Sequence, residues 1–184
     1  MSNNIVLIQF SSREAGNCAA IAGCIRQYFT NDMVSDFTVT RDVVAPCGNC
    51  DYECLKNDET CPNLTGHQIK LYNAICNADF VYYIIPNYCG YPCANYFAFN
   101  ERSVGYFNMD RTLMEKYMSV KKAFIVVSNT EGQNFVNALA QQAENPEILY
   151  LKSSKYGKRS VTGDLMESQD ARHDLLAYLE RHRP

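Results

Sequence analysis

The sequence predicts an α/β fold in which a parallel sheet is covered by helices on both faces. Three observations carry this expectation: five short apolar runs recur along the chain, segments of helical periodicity separate them, and the strongest runs are continuous rather than alternating, as strands buried on both faces require. At 184 residues, 47% hydrophobic and 20% charged, the chain has the size of one domain and enough apolar side chains to bury a core.

The elements follow in order. Ile5-Val6-Leu7-Ile8-Gln9-Phe10 reads as the first strand, Ser11 to Asn17 as a loop of turn and cap residues, and Cys18 to Phe29 as a helix. Phe37-Thr38-Val39 is a brief second strand. A polar, turn-rich segment at 46–62 follows, and Thr65 to Cys76 reads as a helix with Leu71 and Ile75 facing inward. Asp79 to Ile85 is the third strand, stopped by Pro86, which has no N–H to give to a ladder. Tyr91 to Tyr106 is an aromatic helix and Arg111 to Tyr117 another. Ala123 to Val127 is the fourth strand, Phe135 to Ala143 a helix, and Ile148 to Leu151 a fifth, weaker strand. Asp164 to His182 closes the chain as a charged amphipathic helix.

Composition excludes several partners. A net charge of −3 and a pI near 5.6 give no electrostatic case for nucleic acid or an anionic membrane. No apolar run approaches the roughly 20 residues that span a bilayer, and Met1 to Phe10 lacks the basic start of a secretory signal, so a cytoplasmic location is expected. His67, His173 and His182 are scattered without ligand spacing, and no side chain is assigned as a catalytic acid, base or nucleophile.

In sheets of this kind ligands bind beyond the carboxyl ends of the strands, so the loops after strands one, three and four carry the functional reading. Ser11-Ser12-Arg13-Glu14-Ala15-Gly16-Asn17-Cys18 sets hydroxyls, an amide and a glycine at the positive end of a helix. That chemistry suits a phosphate; the alternative is an ordinary turn with Asn17 as N-cap. The loop is neither a Walker loop nor a G-x-G-x-x-G fingerprint. In Ile85-Pro86-Asn87-Tyr88-Cys89-Gly90-Tyr91-Pro92-Cys93, Gly90 lets a ligand approach the backbone, and Tyr88 and Tyr91 offer flat faces to a planar ring. Ser128-Asn129-Thr130-Glu131-Gly132-Gln133-Asn134 is rich in short polar groups suited to the edge of a heterocycle.

The segment at 46–62 holds four of the nine cysteines, Cys47, Cys50, Cys54 and Cys61, spaced C-x2-C-x3-C-x6-C. In a reducing compartment, thiols this close favour metal or redox chemistry over structural disulfides. A tetrahedral zinc site, a four-iron–four-sulfur cluster and an unligated or disulfide-bonded loop all stay open. Cys18, Cys24 and Cys76 fall within helices and read as core residues.

Together these loops resemble those of the flavodoxin-like NAD(P)H-dependent FMN reductase family, and the chain resembles its iron–sulfur flavoprotein branch. Ser11 to Asn17 is similar to the family's G-S-P-R-x-x-G-N phosphate loop, with Phe10 where a glycine usually opens it. Ile85 to Gly90 is similar to its flavin loop. Phe99-Asn100-Glu101-Arg102 stands where the family has phenylalanine followed by an acidic residue and arginine. The cysteine segment holds the place of the branch's cluster loop, with three residues where the branch has two between its second and third cysteines.

The resemblance implies one flavodoxin-like domain over 1–184, a three-layer sandwich with strand order 2-1-3-4-5. It implies FMN as cofactor, its phosphate bound by Ser11, Arg13, Asn17 and Cys18. Its ring would be bordered by Pro86, Asn87, Tyr88, Cys89 and Gly90 and closed over by Ser128, Asn129, Thr130 and Gly132. NAD(P)H would be the co-substrate, and electrons would pass through flavin to a small molecule or a protein such as a ferredoxin-like acceptor. Cys47, Cys50, Cys54 and Cys61 would hold a 4Fe-4S cluster, and the family's common form is a homodimer or higher homo-oligomer. A zinc-stabilised binding module is the alternative outside redox chemistry. Cys89 and Cys93 read either as a dithiol beside the flavin or as small residues where a helix meets the ligand. Glu101 and Arg102 read as subunit-bridging, flavin-adjacent or solvated. Tyr96, Phe97, Phe99, Tyr106 and Phe107 read as core or subunit interface. Lys152, Lys155, Lys158 and Arg159 form a basic patch for a nucleotide phosphate or a solvated loop.

Overall fold

Successive side chains of a strand point to opposite faces, and in the first strand, β1 (Asn4–Gln9), both sets are apolar. Ile5 and Leu7 enter one core, Val6 and Ile8 the other, and all four are fully buried. The same partition recurs in β3 (Phe80–Tyr88) and β5 (Lys121–Ser128), where Tyr82, Ile84 and Ile125 face one core and Tyr83, Ile85 and Val126 the other. With β2 (Met33–Thr38) and β6 (Ile148–Lys152) they form a parallel sheet in the order β2-β1-β3-β5-β6. For the five main strands this is the expected 2-1-3-4-5. The computed structural model describes residues 2–40, 42–48, 50–56 and 61–184; Arg41, Asn49 and positions 57–60 of the cysteine segment lie outside them.

Helices cover both faces, because the central strands are apolar on both. α1 (Asn17–Tyr28) and α7 (Gln169–Arg181) bury Ile21, Ile25, Leu175 and Leu179 on one side. A single turn, α2 (Glu53–Lys56), lies in the cysteine segment. α3 (Gly66–Cys76), α4 (Ala94–Phe107), α5 (Thr112–Ser119) and α6 (Gln133–Leu139) cover the other side through Leu71, Ile75, Phe99, Tyr117 and Phe135. α3 starts at a reciprocal cap: Thr65 Oγ1 accepts the Gln68 N–H at 3.3 Å, and Gln68 Oε1 accepts the Thr65 N–H at 3.0 Å. Tyrosines fill much of this core, and the fully buried ones place their hydroxyls on partners, Tyr72 on the Phe99 carbonyl at 2.6 Å and Tyr106 on Asn73 Oδ1 at 2.6 Å, while the half-buried Tyr150 leaves its hydroxyl without one. Of the aromatic group, Tyr96, Phe99 and Tyr106 are core, and Phe97 is exposed. No helix among the described residues is long and apolar enough to cross a membrane.

Two boundaries differ from expectation for local reasons. Pro86 does not stop the third strand: β3 runs to Tyr88, and Pro86 pairs with Val127 of β5. Ile84 gives its carbonyl to Phe10 on the β1 side, and two residues on Pro86 faces the same side, where β1 has ended. Its missing N–H therefore has no ladder partner to lose. The aromatic helix starts at Ala94 rather than Tyr91, because Tyr91-Pro92 (β4) folds back antiparallel onto Asn87-Tyr88. The two linking residues, Cys89 and Gly90, have φ of 54° and 84°, the positive pair that a two-residue hairpin turn demands. Gly90 thus serves the turn.

Besides its apolar face, α7 carries a buried hydroxyl that ties it to the sheet. Tyr178 accepts the Phe124 N–H at 3.0 Å and lies 2.9 Å from the Glu147 carbonyl. Tyr178→Phe leaves a buried strand N–H unsatisfied and is expected to lower unfolding free energy by about 1–3 kcal/mol. Urea denaturation reads this as a lower midpoint at unchanged slope.

Candidate functional site

Parallel strands all end on one edge, and there the loops after β1, β3 and β5 converge on a cavity of about 360 Å3. Of the sequence-predicted residues, Ser11, Arg13, Asn17, Cys18, Pro86, Asn87, Tyr88, Cys89, Ser128, Asn129 and Thr130 line it. Gly90 and Gly132 do not; Gly132 caps α6 with its Cα face toward the Gly90 carbonyl. Ser160 and Val161 complete the wall, and neither was singled out from sequence.

The loop after β1 is built differently from its sequence reading. Gly16, not Asn17, is the N-cap of α1, and no side chain caps that end. The first N–H groups of a helix have no intrahelical acceptor, so here they are left for an occupant of the cavity. Ser11 is buried, and its Oγ accepts the Arg13 N–H at 3.2 Å, which leaves its own proton to donate. The Asn17 amide is engaged: Nδ2 donates to the Ser160 carbonyl at 3.1 Å, and Oδ1 accepts the Leu165 N–H at 3.0 Å. Arg13 Nη2 donates to the Val161 carbonyl at 2.8 Å. Gly163, at φ 84°, lies so near the Ala15 carbonyl that a Cβ there would come within 3.2 Å. The 160–165 segment is thereby fastened over the loop, and Arg13 contributes charge to the cavity from a fixed position.

Electrostatics at this end are one-sided. Burial, then the neighbouring Cys93, pushes the Cys18 thiol up to about 12, against a smaller opposing effect of Arg13. Cys18 is therefore neutral at physiological pH. Cys93 is buried and directs its Sγ to the Phe10 carbonyl at 3.3 Å, while Cys89 is exposed on the cavity wall. Three of the four residues of the basic patch are paired with carboxylates, and the fourth, Arg159, is exposed. Lys152 pairs with Glu131 at 2.7 Å, Lys155 with Asp174 at 2.7 Å, and Lys158 with Asp164 at 3.0 Å.

On the opposite wall Asn87 clamps two loops together. Its Nδ2 donates to Ser128 Oγ at 2.7 Å and to the Thr130 carbonyl at 3.0 Å, and its Oδ1 accepts the Gly90 N–H at 2.9 Å. Ser128 Oγ also accepts the Thr130 N–H at 2.8 Å, and Asn129 Oδ1 accepts that of Ser154 at 3.2 Å. These polar side chains hold the loops to one another. Tyr88, which lines the cavity, and Tyr91, paired with it across the hairpin, are 60% and 49% exposed flat surfaces.

A second cavity, of about 230 Å3, lies under the cysteine segment and is lined by Cys47, Cys50, Cys54 and Cys61 with Glu101, Arg102 and Gly105 of α4. Burial raises the Cys54 thiol, and Cys61, Cys47 and Cys50 add to the rise, so all three lie near enough to act on Cys54. Among the described residues no three His, Cys, Asp or Glu side chains are drawn together as a single metal ion requires; a tetrahedral zinc site needs its sulfurs about 4 Å apart. Glu101 and Arg102 line this cavity rather than the first. Arg102 is buried, and Glu101 Oε2 accepts the Cys47 N–H at 3.1 Å.

No protein-family model and no curated protein sequence matches the chain. Solved structures do match it. A candidate quinone reductase from Klebsiella pneumoniae superposes with a TM-score of 0.61 at 12% identity, over 100% of this chain and 87% of that one. The Trp repressor binding protein of Bacillus subtilis gives 0.63 at 13%, over 97% and 99%. A flavoenzyme NAD(P)H:(acceptor) oxidoreductase from Paracoccus denitrificans gives 0.54 at 12%, over 98% of both chains. At such identities the likeness is one of fold, and that fold is flavodoxin-like.

The contrast between Cys18 and Cys89 is open to direct measurement. Since thiolates and not thiols are alkylated, iodoacetamide at pH 8 is expected to label Cys89 of the native protein and leave Cys18 unmodified, as read by peptide mass spectrometry. Equal labelling of the two would mean that Cys18 is neither buried nor raised.

Proposed function

We propose that the protein is an FMN-binding oxidoreductase that passes electrons from a reduced nicotinamide nucleotide to a small-molecule or protein acceptor. The observation that carries this reading is the convergence on one cavity of an uncapped helix start, the Ser11 hydroxyl and an exposed tyrosine rim. A phosphate suits the first two, and a planar ring suits the third. The cavity volume also falls in the range of small-molecule sites, roughly 300–1,000 Å3. The named oxidoreductases that share the fold support the reading by analogy.

When bound, FMN supplies hydride acceptance and one- or two-electron donation. The chain's own residues hold and orient it. The positive end of α1 and the Ser11 O–H would hold the phosphate, and Arg13 would add a charge that the Val161 carbonyl keeps in place. Cys18, held neutral, puts no negative charge beside it. Tyr88, exposed on the cavity wall, would offer its flat face to the ring. Asn87 would keep the loop after β5 fixed at its edge, with the Thr130 N–H already taken by Ser128 Oγ. A homodimer, with the exposed Phe97 of α4 in its interface, belongs to the same reading.

The cysteine cavity favours a second reading, an iron–sulfur flavoprotein in which Cys47, Cys50, Cys54 and Cys61 hold a four-iron–four-sulfur cluster that serves a ferredoxin-like acceptor. Soft thiol donors surround one space, and that space is wider than a single zinc ion asks for. α4 joins this cavity to the first. Asn95 Nδ2 donates to the Phe10 carbonyl and to Ser12 Oγ, both at 3.0 Å. Arg102 and Gly105, seven and ten residues on and so about 10–15 Å along the helix, contact the cysteine segment.

Titration of the apoprotein with FMN, followed by flavin fluorescence, tests the first reading. Ser11→Ala removes a hydrogen bond to a charged group, about 1.5–3 kcal/mol, and is expected to weaken FMN binding by about 10- to 100-fold. Tyr88→Ala is expected to relieve quenching of the bound flavin while the unfolding midpoint stays put. An apoprotein that binds no FMN, yet carries stoichiometric zinc, would make the chain a zinc-stabilised binding module instead.

A further inference from the structure

Arg102 is 2% exposed, and a guanidinium stays charged wherever it is placed. Its Nε donates to the Ala45 carbonyl at 3.2 Å, Nη2 donates to the Pro46 carbonyl, and Nη1 lies 3.5 Å from Cys61 Sγ. Among the described residues no carboxylate pairs with it. The adjacent Glu101 turns away to the Cys47 N–H. Carbonyl dipoles and a thiol return only part of what a buried cation loses in leaving water, so a matching negative charge belongs beside it.

Gly105, one turn further along α4, shows where that charge would sit. A Cβ at this position would come 2.6 Å from Cys61 Cβ and 3.1 Å from its Sγ. Glycine weakens a helix interior; here it gives Cys61 a seat against the helix, within reach of the guanidinium. The cavity on the other side of Cys61 is lined by Cys47, Cys50 and Cys54. Four thiols that bind Zn2+, or a four-iron–four-sulfur core of charge 2+, each release a proton and leave a centre of net charge −2.

We propose that Arg102 is the buried counter-charge of a dianionic metal centre held by the thiolates of Cys47, Cys50, Cys54 and Cys61. The proposal rests on the metal reading of the cysteine cavity. Arg102 is a positioning residue: it touches a ligand, not the metal. Its charge favours the filled cavity over the empty one. For a redox-active centre it also favours the more negative, reduced state and so raises the potential.

The test reconstitutes the full-length chain anaerobically with ferrous iron and sulfide, and in parallel with Zn2+ alone. It reads metal content, resistance to a competing chelator, the midpoint potential of any cluster, and FMN affinity as a control for folding. Arg102→Met is expected to weaken metal retention at least tenfold. It should also shift the reduced-to-oxidised ratio of a cluster at least tenfold toward oxidised, about 59 mV lower for one electron. Arg102→Lys should restore most of the retention, and FMN affinity should stay as in the wild type. Asp58→Asn with Glu59→Gln should leave retention and potential unchanged; loss in that variant would transfer the electrostatic role to those carboxylates and overturn the assignment. Unchanged retention and potential in Arg102→Met would also overturn it, with the metal reading left standing. A wild-type chain that takes up neither metal would remove both. If Arg102→Met does not fold, Arg102→Lys decides alone, since retention near wild type supports the charge and tenfold loss refutes it.

Discussion

A strand buried on both faces leaves its chain no place for polar side chains except beyond its ends, and β1, β3 and β5 are all strands of this kind. Their carboxyl ends lie on one edge because the sheet is parallel. Ser11, Asn87 and Ser128 therefore gather there as the first polar residues clear of the core, and a cavity forms between them. The position of the candidate site follows from the hydrophobic pattern before any of its own chemistry is considered. The helices on each face have the same origin, since Ile5 and Leu7 require α1 and α7 as Val6 and Ile8 require α3 and α4.

What surrounds the cavity is held by side-chain amides. Asn17 ties α1 to the 160–165 segment, and Asn87 ties the β3 hairpin to the loop after β5. Asn17 uses both its donor and its acceptor on the 160–165 segment, and Asn87 uses its donor on the loop after β5 and its acceptor on its own hairpin, so neither loop is free to collapse into the space between them. Groups already fixed lose little further freedom when a ligand arrives, and affinity depends on that saving as much as on the contacts themselves. The division of labour runs counter to a simple motif reading. The polar side chains of the three loops serve chiefly as struts, and the donors left for a ligand are backbone N–H groups and the Ser11 hydroxyl.

The sheet was legible because continuous apolar runs have one structural outcome, and its order and its edge of loops followed. Pro86 misled because its effect depends on which side of the strand still has a neighbour, a fact of register that no local pattern records. The 160–165 segment was missed since its bonds to Arg13 and Asn17 span more than 140 residues, and it has no periodicity of its own. Lys152, Lys155 and Lys158 read as a basic patch only while Glu131, Asp174 and Asp164 were out of view. Arg102 left a signal that was readable. Phe99 and Tyr106 stand three residues before and four after it, which puts all three on one helical face, and that face is buried.

α4 gives the two cavities a common frame. Near its start Asn95 grips the loop after β1, and further along Arg102 and Gly105 seat the cysteine segment, while Tyr96, Phe99 and Tyr106 fix the helix to the sheet between those points. A helix rises by a fixed amount per residue, so the separation of the two contacts is set by helical geometry and not by the conformation of either loop. The cysteine segment can then differ in length or composition without disturbing the first cavity, provided that the residues meeting it on α4 keep their spacing. That independence is why the proposed metal centre and the proposed FMN site can be tested separately in one chain.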